Sequence, residues 1–307
     1  MAESLLIHMI VRIFIFIFIG FISRKTGLMD AAFQTKLGNL LMKLIIPISL
    51  FISANQELMP GQGLDIALFI VFALGYYLVG MALAVLLCKK LPLEQGKANL
   101  FGNLVIFANI GLIGFPIIQQ FYGGAGLLLA VFYNLLFNVF MFSFGIKRLG
   151  SKDASLKHLL YSPIVIALIF SLALFLSPFR IPEILAVPLQ QIADTSAPFT
   201  MFVVGGGLAA MPIRSVVTNK WALLVTALRQ LIIPLVTLGI MWCLGFRGIW
   251  PSTFVVLTAL PTGTLNIITA QQYGGDVEFA TQANVQGNLL MLITLPLILI
   301  LCTNVLG

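Results

Sequence analysis

Ten long apolar runs follow one another along the chain, separated by charged residues, prolines and glycines. Each run has about the 20 residues that a transmembrane helix needs, and none alternates in the manner of a barrel strand. Since backbone groups in lipid must be satisfied within the segment, we expect all ten to be helices. The runs cover residues 5–22, 37–54, 65–88, 98–121, 126–146, 158–177, 188–210, 219–245, 251–272 and 279–304.

The composition points to the same class of protein. Of the 307 residues, 60% are hydrophobic and 9% are charged, whereas a soluble domain carries about 25% charged residues. So few charges cannot cover a water-facing surface, and so apolar a chain does not stay disordered. The sequence therefore predicts an all-α integral membrane protein that crosses the bilayer ten times.

The basic residues predict the orientation of the chain. Of the 17 lysines and arginines, twelve lie in the connections that follow runs one, three, five and seven, and only Arg180 and Arg247 lie in the other connections. Cytoplasmic loops carry the excess of Lys and Arg, so we expect both termini on the extracytoplasmic side. The net charge of +7 is then explained by topology, and we expect no nucleic-acid partner.

The two halves of the chain match each other at a nearly constant offset. An odd number of helices per half would invert the second copy, which is the architecture of many secondary transporters. We therefore predict two inverted five-helix repeats, 1–150 and 151–307. The matches are 47–51 with 198–202 and 122–124 with 273–275, both shifted by 151, and Asn134 and Asn138 with Asn284 and Asn288, shifted by 150.

Helix-weakening residues interrupt the fourth and ninth runs at corresponding places. Proline and glycine there make continuous helices costly. A broken helix exposes an N-terminus with roughly +0.5 charge, which favours a bound carboxylate. We predict a substrate site at the two breaks, formed by Asn109, Gly111, Pro116, Pro261, Thr262, Gly263, Thr264 and Asn266, with Arg229 and the carboxamides Asn134, Asn138, Asn284 and Asn288 beside it.

Ionisable residues inside spans are costly and indicate function. Lys43 and Asp194 are 151 residues apart, so the repeat predicts that they pair. The pair would either lock the two halves together or couple transport to a proton or cation. Arg229 would either counter a substrate carboxylate or bond to carbonyls that Pro234 leaves free, and Arg12 is interpreted as a packing or snorkelling residue.

The motif from Asn109 to Pro116 followed by Tyr122-Gly123, and that from Leu260 to Gly263 followed by Tyr273-Gly274, resemble the auxin efflux carrier family, whose bacterial members include malonate and malate permeases. The resemblance implies a scaffold of spans one, two, six and seven. It implies a transport domain of spans three to five and eight to ten, in which helices 4 and 9 cross at the midplane and move like an elevator. It also implies a homodimer in the bacterial inner membrane, a small organic anion as substrate, and no cofactor apart from coupling to H+ or Na+.

Three other functions are compatible with parts of the pattern. A sodium-coupled symporter of the bile-acid type has a comparable ten-helix inverted layout, and a channel or an intramembrane enzyme would also be apolar. The chain has no HExxH, GxSxG, Walker-type or GxGxxG motif, and only Asp194 is an acid well inside a span. We therefore expect no catalytic residues and no metal site, and a transporter is the leading hypothesis.

Overall fold

The computed structural model describes residues 2–55, 62–150, 163–210 and 219–307, and these residues are helical apart from short connections. The helices are α1 (Ala2–Lys25), α2 (Ala31–Leu40), α3 (Ile46–Ser53), α4 (Gln62–Lys90), α5 (Gln95–Ile106), α6 (Phe115–Phe140), α7 (Ile146–Arg148), α8 (Pro163–Leu176), α9 (Glu183–Asp194), α10 (Ser196–Ala209), α11 (Lys220–Ala227), α12 (Ile233–Cys243), α13 (Ile249–Thr258), α14 (Leu265–Gln272) and α15 (Val277–Leu306).

Five helical segments within the described ranges are long and apolar enough to cross a membrane, and two shorter helices are also apolar. This confirms the prediction of an all-α membrane protein. The start of the predicted sixth span, 158–162, lies outside the described residues, so the number of ten spans stays a prediction. The five segments are Ala31–Ser53, Gly63–Lys90, Ile110–Arg148, Lys220–Cys243 and Val277–Leu306.

Wide π-helical turns join several of the helices and explain how these spans contain proline. Such turns cover Leu41–Ile45, Ile110–Gly114 and Leu228–Ile232, and each is followed two residues later by a proline. Proline has no N–H to donate to the preceding turn, and a π-turn is a local rearrangement of the hydrogen-bond ladder. The chain therefore continues as helix through Pro47, Pro116 and Pro234.

Two glycines reverse or bend the chain where a left-handed backbone is needed. Gly123 has φ +62° inside α6, and Gly274 has φ +73° between α14 and α15. Residues with a side chain rarely adopt these angles. Gly123 lies at the predicted connection between the fourth and fifth spans, and Gly274 lies at the predicted connection between the ninth and tenth.

The chain forms two compact units that interleave along the sequence. The first comprises Met1–Ala67, Gly111–Phe132 and Leu160–Met211, and the second comprises Leu68–Ile110, Tyr133–Leu159 and Pro212–Gly307. Neither unit coincides with a half of the sequence, so the five-helix repeats 1–150 and 151–307 remain a prediction.

Each unit has its own packing. In the first, α1 lies directly against α10. The two backbones are so close that a Cβ on Gly20 would overlap the backbone of Phe202, and a Cβ on Gly205 would overlap that of Ile17. Small residues allow such close approach of helices in membranes. The second unit has a buried apolar cluster that includes Leu100, Phe101, Leu104, Val225 and Phe279.

Candidate functional site

Two interrupted helices meet within the second unit. The chain leaves helical geometry at Phe107–Asn109, after α5, and at residues 259–264, between α13 and α14. Ala108 and Thr262 form an antiparallel bridge there. The N–H of Asn109 donates to the carbonyl of Pro261 at 2.9 Å, and the N–H of Gly263 donates to the carbonyl of Phe107 at 3.0 Å. We call this arrangement the crossing.

The break in the fourth run lies earlier in the chain than its glycines and proline indicate. The prediction centred it on Gly111–Pro116, but the non-helical residues are 107–109, and Pro116 lies buried in the first turn of α6. The π-turn at Ile110–Gly114 accommodates the missing N–H of Pro116, so this proline does not break the helix. Gly111 and Pro116 belong to the first unit, whereas the crossing lies in the second.

The backbones at the crossing touch because position 263 is a glycine. A Cβ on Gly263 would lie 2.7 Å from the carbonyl oxygen of Ala108, which is closer than two such atoms can approach. On the other side of the second break, a Cβ on Gly287 of α15 would lie 3.2 Å from Cβ of Pro261. Two glycines thus let three backbone segments pack at one point.

Side-chain amides hold the crossing in place. Nδ2 of Asn266, whose residue is fully buried, donates to the carbonyl of Phe107 at 3.0 Å, to Oγ1 of Thr262 at 3.1 Å and to the carbonyl of Gly263 at 3.2 Å. Nδ2 of Asn284 donates to the carbonyl of Thr262 at 2.7 Å. These contacts satisfy carbonyls that the helix breaks leave free, as burial away from water requires.

Arg229 is 1% exposed and contacts the ends of both first half-helices. Its Nε donates to the carbonyl of Leu260 at 2.8 Å, and its Nη1 donates to the carbonyl of Val105 and, at 3.3 Å, to the hydroxyl of Tyr76. No carboxylate lies within 4.0 Å of it among the described residues. These carbonyls belong to the crossing and are not freed by Pro234. The buried Nη2 of Arg229 has no hydrogen-bond partner among the described residues, so its predicted role opposite a substrate carboxylate stays a prediction.

Two polar residues that the sequence analysis did not select also support the crossing. The Tyr76 hydroxyl, besides accepting from Arg229, donates to the carbonyl of Ile106 at 3.2 Å. Gln230, which is 1% exposed, donates to the carbonyl of Gly287 at 2.7 Å. Both residues lie inside otherwise apolar runs. This position could have indicated a structural role, since a buried polar group needs a hydrogen-bond partner.

Several side chains at the crossing keep hydrogen-bonding capacity, among them those of Arg229 and Asn266, whose buried Nη2 and Oδ1 have no partner among the described residues. The carboxamide of Asn109, a residue 6% exposed, makes no hydrogen bond to any described residue, and the exposed Thr264 hydroxyl makes none either. Thr264 precedes α14, in whose first turn the N–H groups of Asn266 and Ile267 already donate to the carbonyls of Gly263 and Thr264 at 3.0 Å. The side chains of Asn109 and Thr264 are the groups that a bound molecule could reach.

The predicted carboxamide pairs bond mainly within their own helices. Nδ2 of Asn138 donates to the carbonyl of Asn134 at 2.7 Å, and Nδ2 of Asn288 donates to Oδ1 of Asn284 at 3.1 Å. Asn284 reaches the crossing and Asn288 reaches it through Asn284. A role of Asn134 and Asn138 in binding stays a prediction.

Lys43 and Asp194 are not joined in this structure. Both lie in the first unit and both side chains are exposed. Asp194 accepts from Nε2 of Gln190 at 2.7 Å, and no described carboxylate lies within 4.0 Å of the Lys43 ammonium. The buried ion pair is therefore not formed, and a coupling role for either residue stays a prediction.

A multi-pass membrane protein with two interrupted helices that cross inside the apolar region has the architecture of a transporter. Comparison with known proteins agrees. A family described as "membrane transport protein" matches residues 5–158 and 148–299. The chain belongs to this family, the auxin efflux carrier family.

The relatives extend over different shares of the chain. An uncharacterized transporter of Methanothermobacter thermautotrophicus is 24% identical over 94% of this chain and 95% of its own length. An uncharacterized transporter of Methanocaldococcus jannaschii is 22% identical over 87% of this chain and 89% of its own length. A probable auxin efflux carrier component of rice is 30% identical, but over 44% of this chain and 22% of its own length.

Proposed function

We propose that the chain is a secondary active transporter of small organic anions, carboxylates above all, and that the crossing binds the substrate. The observation that carries this proposal is the electrostatics of the crossing. The C-termini of α5 and α13 together contribute about −1 charge from their dipoles, and the guanidinium of Arg229 bonds to carbonyls at both ends.

With those ends neutralised, one positive helix end of the second unit remains. The start of α14 contributes roughly +0.5 charge. The described part of the chain has no carboxylate paired with Arg229. The resulting net charge of about +0.5 favours a carboxylate, with the free carboxamide of Asn109 and the hydroxyl of Thr264 as donors.

The transport cycle is proposed to be elevator-like, with spans three to five and eight to ten carrying the crossing across the bilayer. The repeat offset supports ten helices in two inverted repeats, because Gly123 and Gly274, both with positive φ, are 151 residues apart. The Lys and Arg distribution supports extracytoplasmic termini, and a bacterial inner membrane belongs to the same proposal. A homodimer and coupling to H+ or Na+ belong to the same proposal.

A ligand screen tests the binding step. Thermal unfolding of the purified protein is measured with malonate, malate and monocarboxylates, with Na+ and pH varied. A substrate that binds only the folded state raises the unfolding temperature. Absence of any shift, together with absence of labelled carboxylate uptake into proteoliposomes under every ion gradient, would contradict the proposal.

Matched variants test the site itself. Asn109→Ala and Thr264→Ala should each weaken the ligand-induced shift while the unfolding temperature without ligand stays unchanged. Asn304→Ala and Thr281→Ala are the controls, since both residues are exposed and neither makes a hydrogen bond to a residue of the crossing. If the two site variants bind as tightly as the controls, the crossing is not where the carboxylate binds.

A further inference from the structure

A long apolar groove of about 580 Å³ lies on the second unit, between α4 and the α11–α12 segment. Its polar lining residues, Tyr76 and Thr237, both use their hydroxyls in hydrogen bonds to backbone carbonyls. A polar solute would therefore find no partner there. The walls include Val71, Val79, Leu87, Ile232, Val236 and Ile240.

The dimensions of the groove suit a hydrocarbon chain. Along α4 it extends from Val71 to Leu87, which at 1.5 Å per residue is about 24 Å. One acyl chain spans half of the hydrocarbon core, about 15 Å. Several lining side chains are more than half exposed, such as Val79 at 58% and Val236 at 56%, so the groove opens to the surface that lipid covers.

One end of the groove is basic. Lys89 and Lys90 lie exposed in the last turn of α4, and Cys88 separates them from Leu87. The connection from α4 to α5 contains one acidic residue, Glu94. Lys97 is already paired, because its ammonium lies 2.9 Å from the carboxylate of Asp276.

An arginine with spare capacity lies at the same end. Nη2 of Arg148 donates to Oδ1 of Asn99 at 2.9 Å and to Sγ of Cys88 at 3.1 Å, but its buried Nη1 has no partner among the described residues. Nη1 packs where a Cβ on Gly102 would be, 2.7 Å away. Gly102 lines the groove, so this unsatisfied cation borders its end.

We propose that the groove holds one acyl chain of an anionic phospholipid, with the lipid phosphate at Lys89, Lys90 and Arg148. Basic pockets between transmembrane helices recognise anionic headgroups, and each Lys or Arg contributes about fivefold in affinity. The proposal is independent of the transported substrate.

Lipid titration of the purified protein in detergent tests the headgroup. Phosphatidylglycerol should raise the unfolding temperature more than phosphatidylcholine with the same chains, and inorganic phosphate should have no effect. In the Lys89→Gln/Lys90→Gln variant, the ratio of the affinity for phosphatidylglycerol to that for phosphatidylcholine should fall by about 25-fold, which is about fivefold per charge. Equal shifts with both lipids, or a shift with phosphate alone, would overturn the proposal.

A neighbouring pair of substitutions on α4 tests the groove. Val79→Trp fills it, whereas Leu78→Trp adds the same bulk at a residue that is 50% exposed and does not line it. Native mass spectrometry should show retained phosphatidylglycerol with Leu78→Trp and loss of it with Val79→Trp. Equal retention by the two variants would show that the lipid does not occupy the groove.

Discussion

The substitution Gly263→Ala tests whether the crossing depends on direct contact between two backbones. The added Cβ would lie 2.7 Å from the carbonyl oxygen of Ala108 and 3.1 Å from its carbon, where ordinary contact begins at 3.4 Å. The two segments would have to separate by about 0.7 Å. Hydrogen bonds of 2.9 and 3.0 Å would then exceed the usual limit of about 3.2 Å.

The expected cost follows from these two effects. Overpacking costs about 1–3 kcal/mol and each of the two lost hydrogen bonds about 0.5–1.5 kcal/mol, so the free energy of unfolding should fall by about 2–6 kcal/mol. Gly239→Ala is the matched control, because a Cβ there meets nothing within 4 Å. This substitution should leave the free energy of unfolding unchanged or raise it by up to about 1 kcal/mol. Denaturant titration in one detergent, followed by tryptophan fluorescence, measures both. Equal unfolding midpoints would refute the reasoning.

Three further substitutions test other contacts. Arg229→Met leaves two buried carbonyls without donors, at about 1–3 kcal/mol each, so its denaturant midpoint should fall; an unchanged midpoint would mean that water replaces the guanidinium. Asn266→Ala should lower the unfolding temperature without ligand, unlike Asn109→Ala, and equal temperatures would contradict the assigned roles. Partial burial raises the pKa of Asp276, but the hydrogen bond from the Phe279 N–H and the Lys97 ammonium outweigh it, so the pKa lies below its ordinary 3.8. This stabilisation is present above pH 3.8 and is lost as the pH falls through the lowered pKa, so Asp276→Asn should flatten the acid limb of the stability profile; an unchanged limb would contradict it.

The fold class and the existence of two helix breaks could be predicted because both depend on local sequence, whereas the crossing itself was implied by the family resemblance. A run of about 20 apolar residues is enough to predict a membrane helix. Pro261 and Gly263 inside such a run indicate a break, and the structure has this break at residues 259–264. The position of the other break could not be read in the same way. Pro116 is tolerated through a π-turn, and the interruption occurs at Phe107–Asn109, where no residue is a helix breaker.

The roles of charged residues depend on partners far away in the sequence. Lys43 and Asp194 share a repeat position, yet each side chain is exposed and they do not pair. Arg229 bonds to carbonyls 31 and 124 residues away. Neither contact pattern follows from spacing, because a long side chain selects its partner from whatever the tertiary packing places within reach.

The same reasoning separates binding residues from structural ones at the crossing. A break in a membrane helix frees carbonyls and N–H groups that must find partners inside the protein, so polar residues near a break are needed to complete the fold before any are left for substrate. Asn266 and Asn284 are used in this way. Substrate binding was predicted for both from their polarity, and their hydrogen bonds give each of them a structural role as well. The carboxamide of Asn109 and the hydroxyl of Thr264 are not used. We therefore propose that a transported anion binds through these two side chains beside the N-terminus of α14, with the buried Nη2 of Arg229, which has no partner among the described residues, as a further donor.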